Sequence, residues 1–166
     1  MRIVKTGLIA LAATVAIGTA AHAVEVKKRG EAPGTPESVW ALVGDFCAIK
    51  DWHPAVAECE QVEEGGDTYR ILTLGDGGKI KEKLTKKSDT SYSYEIVESP
   101  LPVKNYSATL EIDEDDEDNT VEIEWEAEFD PADGVEEAKA VEVITGIFAD
   151  GVTGIRKKAK EADEAQ

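Results

Sequence analysis

The chain has 166 residues, 42% of them hydrophobic, with 18 basic against 35 acidic side chains and a net charge of −17. A field of that sign repels phosphate backbones and anionic membrane surfaces, which argues against both as partners. It attracts basic proteins, although solubility or adaptation to salt accounts for the acidity equally well.

The first 23 residues read as an export signal. Arg2 and Lys5 form a short positive region, 14 uncharged residues follow (7–20), and Ala21-His22-Ala23 supplies a small-x-small cleavage pattern. That run is short of the roughly 18 apolar residues of a membrane-spanning helix. The expectation is cleavage after Ala23, releasing a periplasmic chain (24–166) with no membrane span and one domain. An uncleaved anchor is the alternative that the cleavage pattern opposes. Cleavage leaves 16 basic and 35 acidic residues, a net charge of −19, and His53 as the one histidine.

The mature chain opens on Val24-Glu25-Val26, a short alternating strand. Thr35-Pro36-Glu37 starts a helix: threonine caps, proline takes the first helical position and glutamate faces the positive end of the dipole. Val39, Trp40, Leu42 and Val43 ride on it, and Gly44 ends it. A second helical turn is expected over 48–51, stopped before Pro54. Strands are expected over 55–63 and 69–73, separated and followed by glycine-rich hairpin turns, then over 79–87 and 91–98. Tyr106, Ala108, Leu110 and Ile112 alternate in the next strand, followed by an acidic turn over 113–119. Clustered carboxylates suit calcium, but the turn lacks the glycine and terminal glutamate of an EF-hand and reads as a solvated tip. In 121–129 every odd position is apolar and every even one glutamate, giving one core face and one wet face. Beyond Pro131, Val141, Ile144, Thr145, Phe148, Val152 and Ile155 form one helical stripe, with Arg156, Lys157, Lys158 and Lys160 near its C-terminus. Gly146, Gly151 and Gly154 within that helix indicate close packing, a bend or room for a ligand, with packing the default. Strand, two helices, six strands and a long helix make an α+β antiparallel chain with a helix on one face.

Cys47 and Cys59 are the only cysteines. In an oxidising compartment a disulfide between them would close a short loop and contribute roughly 3 kcal/mol if the geometry allows. The alternative is two separate core thiols, and the disulfide is the favoured reading. A redox C-x-x-C is absent from the sequence.

Residues 39–60 (VWALVGDFCAIKDWHPAVAECE), 69–74, 79–84, 98–103 (ESPLPV), Asn105-Tyr106 and the Trp125 strand together resemble the START/polyketide-cyclase (SRPBCC) superfamily. Within it the chain is similar to small periplasmic bacterial members, including the MxaD-type accessory proteins of methanol oxidation. The resemblance implies a helix-grip fold. A curved antiparallel sheet of about seven strands wraps a long C-terminal helix, with two short helices after the first strand. It also implies a cavity between sheet and helix, which in many members holds a lipid, sterol, polyketide or other apolar molecule.

The residues give little support to catalysis. One histidine and two cysteines make a thin ligand set, so neither metal nor cofactor is expected. No G-x-S-x-G elbow or phosphate-cradling loop occurs. His53, assisted by Glu82 or a tyrosine, is the candidate for acid–base work; its bland alternative is a corner residue that bonds backbone between Trp52 and Pro54. Glu82 shares a strand face with Ile80 and Leu84, so it either enters a pocket with a partner such as Arg70 or a ligand, or lies at a solvated edge. Trp40, Trp52, His53, Glu82, Tyr94, Tyr106, Trp125 and Phe148 are the candidate cavity residues, with Phe129 nearby. Aromatics on inward faces are also ordinary core. The reading is binding of a small apolar or amphipathic molecule, with loops around Trp52-His53-Pro54 and Pro100-Leu101-Pro102 controlling access. The alternatives are docking to a basic periplasmic protein, as in an accessory factor of a dehydrogenase and cytochrome system, and a cyclase or hydratase using His53.

Overall fold

The computed structural model describes residues 23–116 and 119–165. Residues 1–22, which hold nearly all of the expected export signal, and Glu117 and Asp118 of the acidic turn lie outside the described residues. The elements are β1 (Val24–Pro33), α1 (Pro36–Val43), α2 (Ile49–Trp52), β2 (Val56–Glu64), β3 (Asp67–Leu74), β4 (Lys79–Lys87), β5 (Ser91–Glu98), β6 (Val103–Glu114), β7 (Thr120–Pro131) and α3 (Glu137–Asp163). All seven strands join one antiparallel sheet in the order β1-β7-β6-β5-β4-β3-β2. Register shifts interrupt β2, β4 and β6, and such bulges bend a sheet. The curved sheet carries α3 on its inward face: this is the α+β helix-grip fold. No helix among the described residues is long and apolar enough to cross a membrane.

β7 supplies the centre of the core. Val121, Ile123, Trp125, Ala127 and Phe129 are all buried, while its glutamates face outward. β1 runs ten residues rather than the short strand expected, paired with β7 from Val24↔Phe129 to Pro33↔Thr120. Its Lys-Lys-Arg-Gly-Glu segment has no apolar alternation for sequence reasoning to find. On the outward side Lys27 bonds Glu124 and Glu126, and Arg29 bonds Glu122 and Glu124. On the inward side a Cβ on Gly30 would sit 2.5 Å from Val152 Cγ1, so the missing side chain is what brings β1 against α3.

Thr35 and Ser38 close a capping box at the start of α1, with Thr35 Oγ1 accepting from the Ser38 amide and Ser38 Oγ from the Thr35 amide. α2 lies one residue later than expected, because the His53 amide still bonds the Ile49 carbonyl before the backbone extends into Pro54. Cys47, between α1 and α2, is joined to Cys59 on β2, with Sγ–Sγ 1.93 Å and Cα–Cα 5.5 Å. The helical corner is thereby tied to an edge strand.

The buried stripe of α3 is Ala140, Ile144, Phe148, Gly151, Val152, Ile155 and Ala159. Thr145 is exposed, against expectation, since the stripe turns onto small residues where the helix lies closest to its neighbours. The three glycines separate by role. A Cβ on Gly154 would fall 1.7 Å from the Trp52 carbonyl oxygen, and one on Gly151 2.3 Å from Trp125 Cζ3; Gly146 has nothing within 4 Å. Two of them let α3 touch α2 and β7, and the third has no packing reason.

Two predictions follow from this packing. Gly154→Ala and Gly151→Ala should each lower stability by about 1–3 kcal/mol through overpacking, whereas Gly146→Ala should raise it by up to about 1 kcal/mol through helix propensity. Urea unfolding of the three variants checks the opposite signs, and equal effects would refute the packing account. Thiol titration of the unfolded, unreduced chain should find no free thiol, and reduction should cost about 3 kcal/mol in the same unfolding experiment.

Candidate functional site

An apolar cavity of about 120 Å³ lies between the sheet and α3. Its floor comes from β3, β4 and β5 through Leu72, Leu74, Ile80 and Ile96; α2 and α3 contribute Ile49, Ile144 and Ile147, and the loop after β5 contributes Leu101. Polar character is confined to His53, Glu82, Tyr94, Tyr106 and the indole of Trp125. These five of the eight candidate residues line the cavity; Trp40, Trp52 and Phe148 do not.

Each of those three has a structural occupation instead. Trp40 packs against Tyr92, with ring centroids 5.6 Å apart, and covers Gly44. Phe148 lies on the far face of Trp125, stacked at 4.4 Å and 14°. Trp52 meets Trp125 edge-on at 5.7 Å and borders an open surface cleft with Lys50, Lys157 and Lys158. Phe129 is fully buried and stacks on Tyr106. Large aromatics on an inward face thus divide into a wall and a backing layer, and side-chain type does not distinguish the two.

Glu82 is inward and 5% exposed, because β4 is an interior strand between β3 and β5 rather than a solvated edge. It faces Arg70 directly across the ladder, and Arg70 Nε donates to Glu82 Oε2 at 2.5 Å. Arg70 is fully buried; its Nη1 donates to the Phe46 carbonyl at 2.6 Å and to Tyr92 Oη at 3.4 Å. The guanidinium sits 4.1 Å from the centroid of Phe46 and 5.0 Å from that of Tyr94. Burial raises the Glu82 carboxyl above its ordinary range, and the Arg70 charge pulls it back.

Beside that pair, Trp125 Nε1 donates to Tyr94 Oη at 3.1 Å, and Tyr94 Oη lies 3.5 Å from Tyr106 Oη. Burial pushes both phenols up, so both are neutral in the folded chain. His53 is spoken for on both sides of its ring. The Ala55 amide can only donate, so Nδ1 accepts it at 3.2 Å; the Ile147 carbonyl can only accept, so Nε2 donates to it at 3.0 Å. Burial lowers the imidazole pKa, against the opposing pull of the Ile147 carbonyl and Asp150. A neutral ring with both nitrogens committed to backbone is a brace between the α2–β2 corner and α3. The aliphatic lining escaped sequence reading, since alternating strands show which residues face inward and not which of them leave space.

The β5–β6 seam next to the cavity is open. Pairing between the two strands stops at Glu95↔Ser107, although β5 continues to Glu98 and β6 begins at Val103. β6 shifts register between Lys104 and Ser107, with Asn105 at φ +52°. A surface cleft occupies the gap, and Ile96 and Tyr106 line both the cleft and the cavity. Val97, 56% exposed, stands in the same cleft.

Comparison with known proteins agrees with this architecture. The family described as polyketide cyclase/dehydrase and lipid transport matches residues 23–160. The solved structure of the protein XoxI from Bacillus cereus is 33% identical, with a TM-score of 0.77 over 84% of this chain and 97% of that one. At 15% identity, the Zhui aromatase/cyclase from a Streptomyces species shares the fold with a TM-score of 0.71, over 84% of this chain and 94% of that one. A START superfamily protein from Mycobacterium smegmatis, 12% identical, does so at 0.69, over 83% and 98%. The chain belongs to the family described as polyketide cyclase/dehydrase and lipid transport.

Proposed function

We propose that this is an exported, periplasmic protein that binds a compact apolar or amphipathic molecule in the cavity between its sheet and α3. The carrying observation is that cavity, walled by aliphatic and aromatic side chains and supplied with one carboxylate and two phenols. Its volume bounds the guest. Dedicated ligand pockets hold about 300–1,000 Å³, whereas an apolar cavity near 150 Å³ accepts benzene. A cavity of about 120 Å³ therefore suits one ring or a short chain, and anything larger requires the walls to move. The family description includes lipid transport, which supports a binding role without identifying a guest.

Access is assigned to the β5–β6 seam and the Leu101 loop. The Trp52-His53-Pro54 corner is held on both sides by backbone hydrogen bonds and by the contact with Gly154, which suits a fixed wall. The seam has backbone on both strands that is not paired across it, and Ile96 and Tyr106 line both the cleft and the cavity. A cyclase or hydratase driven by His53 has little support, because a general base needs a free lone pair facing its substrate.

Docking to a basic periplasmic protein remains the second reading, favoured by the outer face of the sheet. Glu111 lies directly across from Glu124, and Asp113 from Glu122. The crowding there, after desolvation, raises the Glu111 carboxyl. Binding of a basic cytochrome that weakens steeply with salt would support this reading, and salt-insensitive or absent binding would end it.

Three measurements test the primary reading. Toluene at a hundredfold excess over its dissociation constant should stabilise the chain by about 2.7 kcal/mol; if no small ring, extracted lipid or hydrophobic dye binds, cavity binding is wrong. Ile96→Ala should speed exchange of bound toluene several-fold by NMR, while Ile147→Ala, on the opposite wall, should enlarge the cavity without that change; equal rates would move access away from the seam. For His53 the folded pKa lies below the unfolded one. Its contribution is therefore present above about pH 6.5 and is lost progressively as pH falls below that value. His53→Gln should flatten the stability profile in that window, as read by urea midpoints at successive pH values.

A further inference from the structure

We infer that the cavity selects a neutral single-ring hydroxyl compound, of the phenol or aryl-alcohol class, whose hydroxyl donates to Glu82 and accepts from Tyr106. The inference rests on the cavity-binding reading above and specifies its guest.

Glu82, Tyr94 and Tyr106 stand on the inward faces of three adjacent strands, β4, β5 and β6, and all three line the cavity. Their hydrogen-bonding capacity is not used up. Arg70 Nε takes one of roughly four acceptor positions of the Glu82 carboxylate, through Oε2. On the phenol side, Trp125 occupies a lone pair of Tyr94 Oη. With the Tyr94 proton turned to Tyr106 Oη, the Tyr106 hydroxyl hydrogen is left for a guest in the cavity. The polar edge of an otherwise apolar space thus presents an acceptor and a donor. A single hydroxyl satisfies both, since it donates once and accepts twice.

Charge excludes the alternatives. A carboxylate guest would meet the Glu82 carboxylate, and the guanidinium that might compensate is committed to Glu82, the Phe46 carbonyl and Tyr92 behind the wall. An ammonium guest would add a second positive charge to a Glu82–Arg70 pair that is already balanced, leaving one buried charge uncompensated. The pair is close to neutral as a unit, so a neutral guest crosses into the cavity without leaving a charge uncompensated. A hydrocarbon fits the space but offers no partner to the Glu82 carboxylate and the Tyr106 hydroxyl that line it, the kind of mismatch that makes hydrogen-bonding sites discriminate. Volume limits the guest to about one ring.

The test is a matched series of phenol, toluene, benzoate and benzylamine, titrated into the disulfide-intact chain and followed by calorimetry and by NMR of the Trp125 indole. Phenol should bind about tenfold or more tighter than toluene, and benzoate and benzylamine should not bind where phenol saturates. Tyr106→Phe should erase most of the preference for phenol while leaving toluene affinity unchanged. Glu82→Gln should do the same and relax the exclusion of benzoate. Because Glu82→Gln leaves the Arg70 charge without its counterion, the Tyr106→Phe result decides if that variant fails to fold. Equal affinities for phenol and toluene, or benzoate binding as tightly as phenol, would overturn the hydroxyl assignment while leaving a working cavity. If none of the four binds, the cavity-binding reading falls and takes this inference with it.

Discussion

The burial of Arg70 is the constraint from which much of the interior follows. A guanidinium cannot shed its proton in a protein, so a fully buried one must be surrounded by groups that tolerate its charge. Glu82 supplies the counterion from the adjacent strand, the Phe46 carbonyl supplies an acceptor, and the faces of Phe46, Tyr92 and Tyr94 supply quadrupoles. One donor, Nη2, remains without a partner and rests among those rings. Phe46 belongs to the loop between α1 and α2, so satisfying Arg70 fixes the position of that loop. Its neighbour Cys47 then reaches Cys59 on β2, which pairs with the strand carrying Arg70. The disulfide and the ion pair both hold this corner, Cys59 lying across from Leu72 on the same inward face as Arg70. Removing one member of such a pair costs more than the pair contributes, because the other charge remains buried.

The corner in turn positions α3. Trp52 offers its carbonyl to the space vacated by Gly154, and His53 spans to the Ile147 carbonyl one helical turn before Gly151. These contacts press the helix onto Trp125, which is held from behind by Phe148 and at its nitrogen by Tyr94. The cavity is what this clamp leaves over. Its small volume reflects a helix brought close by glycines rather than held off by large side chains. The sheet and helix are tightened around a small space, and the proposed access lies at the β5–β6 seam, where pairing stops at Glu95↔Ser107.

Much of this was legible in the sequence where two constraints agreed on a residue. The alternation of 121–129 gave β7 and its buried face, and the Thr-Pro-Glu start gave α1, because period and capping chemistry are local. Glu82 on an apolar face pointed correctly to Arg70, since a buried carboxylate requires a partner nearby. Three things were not legible. The length of β1 is set by the β7 ladder and by ion pairs, both non-local, and its own residues alternate poorly. The division of aromatics into wall and backing, which put Trp40, Trp52 and Phe148 off the cavity, depends on packing depth rather than on the direction a residue faces. The commitment of His53 Nε2 depends on Ile147, a residue 94 positions away; no pattern around a Trp-His-Pro corner reveals a helix carbonyl waiting for it.

Charge outside and charge inside act on a guest over different ranges. The surface field is screened over about 10 Å at moderate salt and affects encounter rather than retention. Glu82 acts at contact, in a space where an unmatched charge is far more costly than in water. Both disfavour anions, but they would respond differently to salt: the surface contribution would fade and the buried one would persist. An anionic lipid or fatty acid is therefore opposed twice, whereas a neutral ring feels neither effect until it reaches Glu82. The fold leaves a lipid-sized role open in principle, and the polar edge of this particular cavity narrows it. That edge exists because Arg70 needed a counterion, so the same buried charge that organises the corner also determines which molecules the cavity can hold.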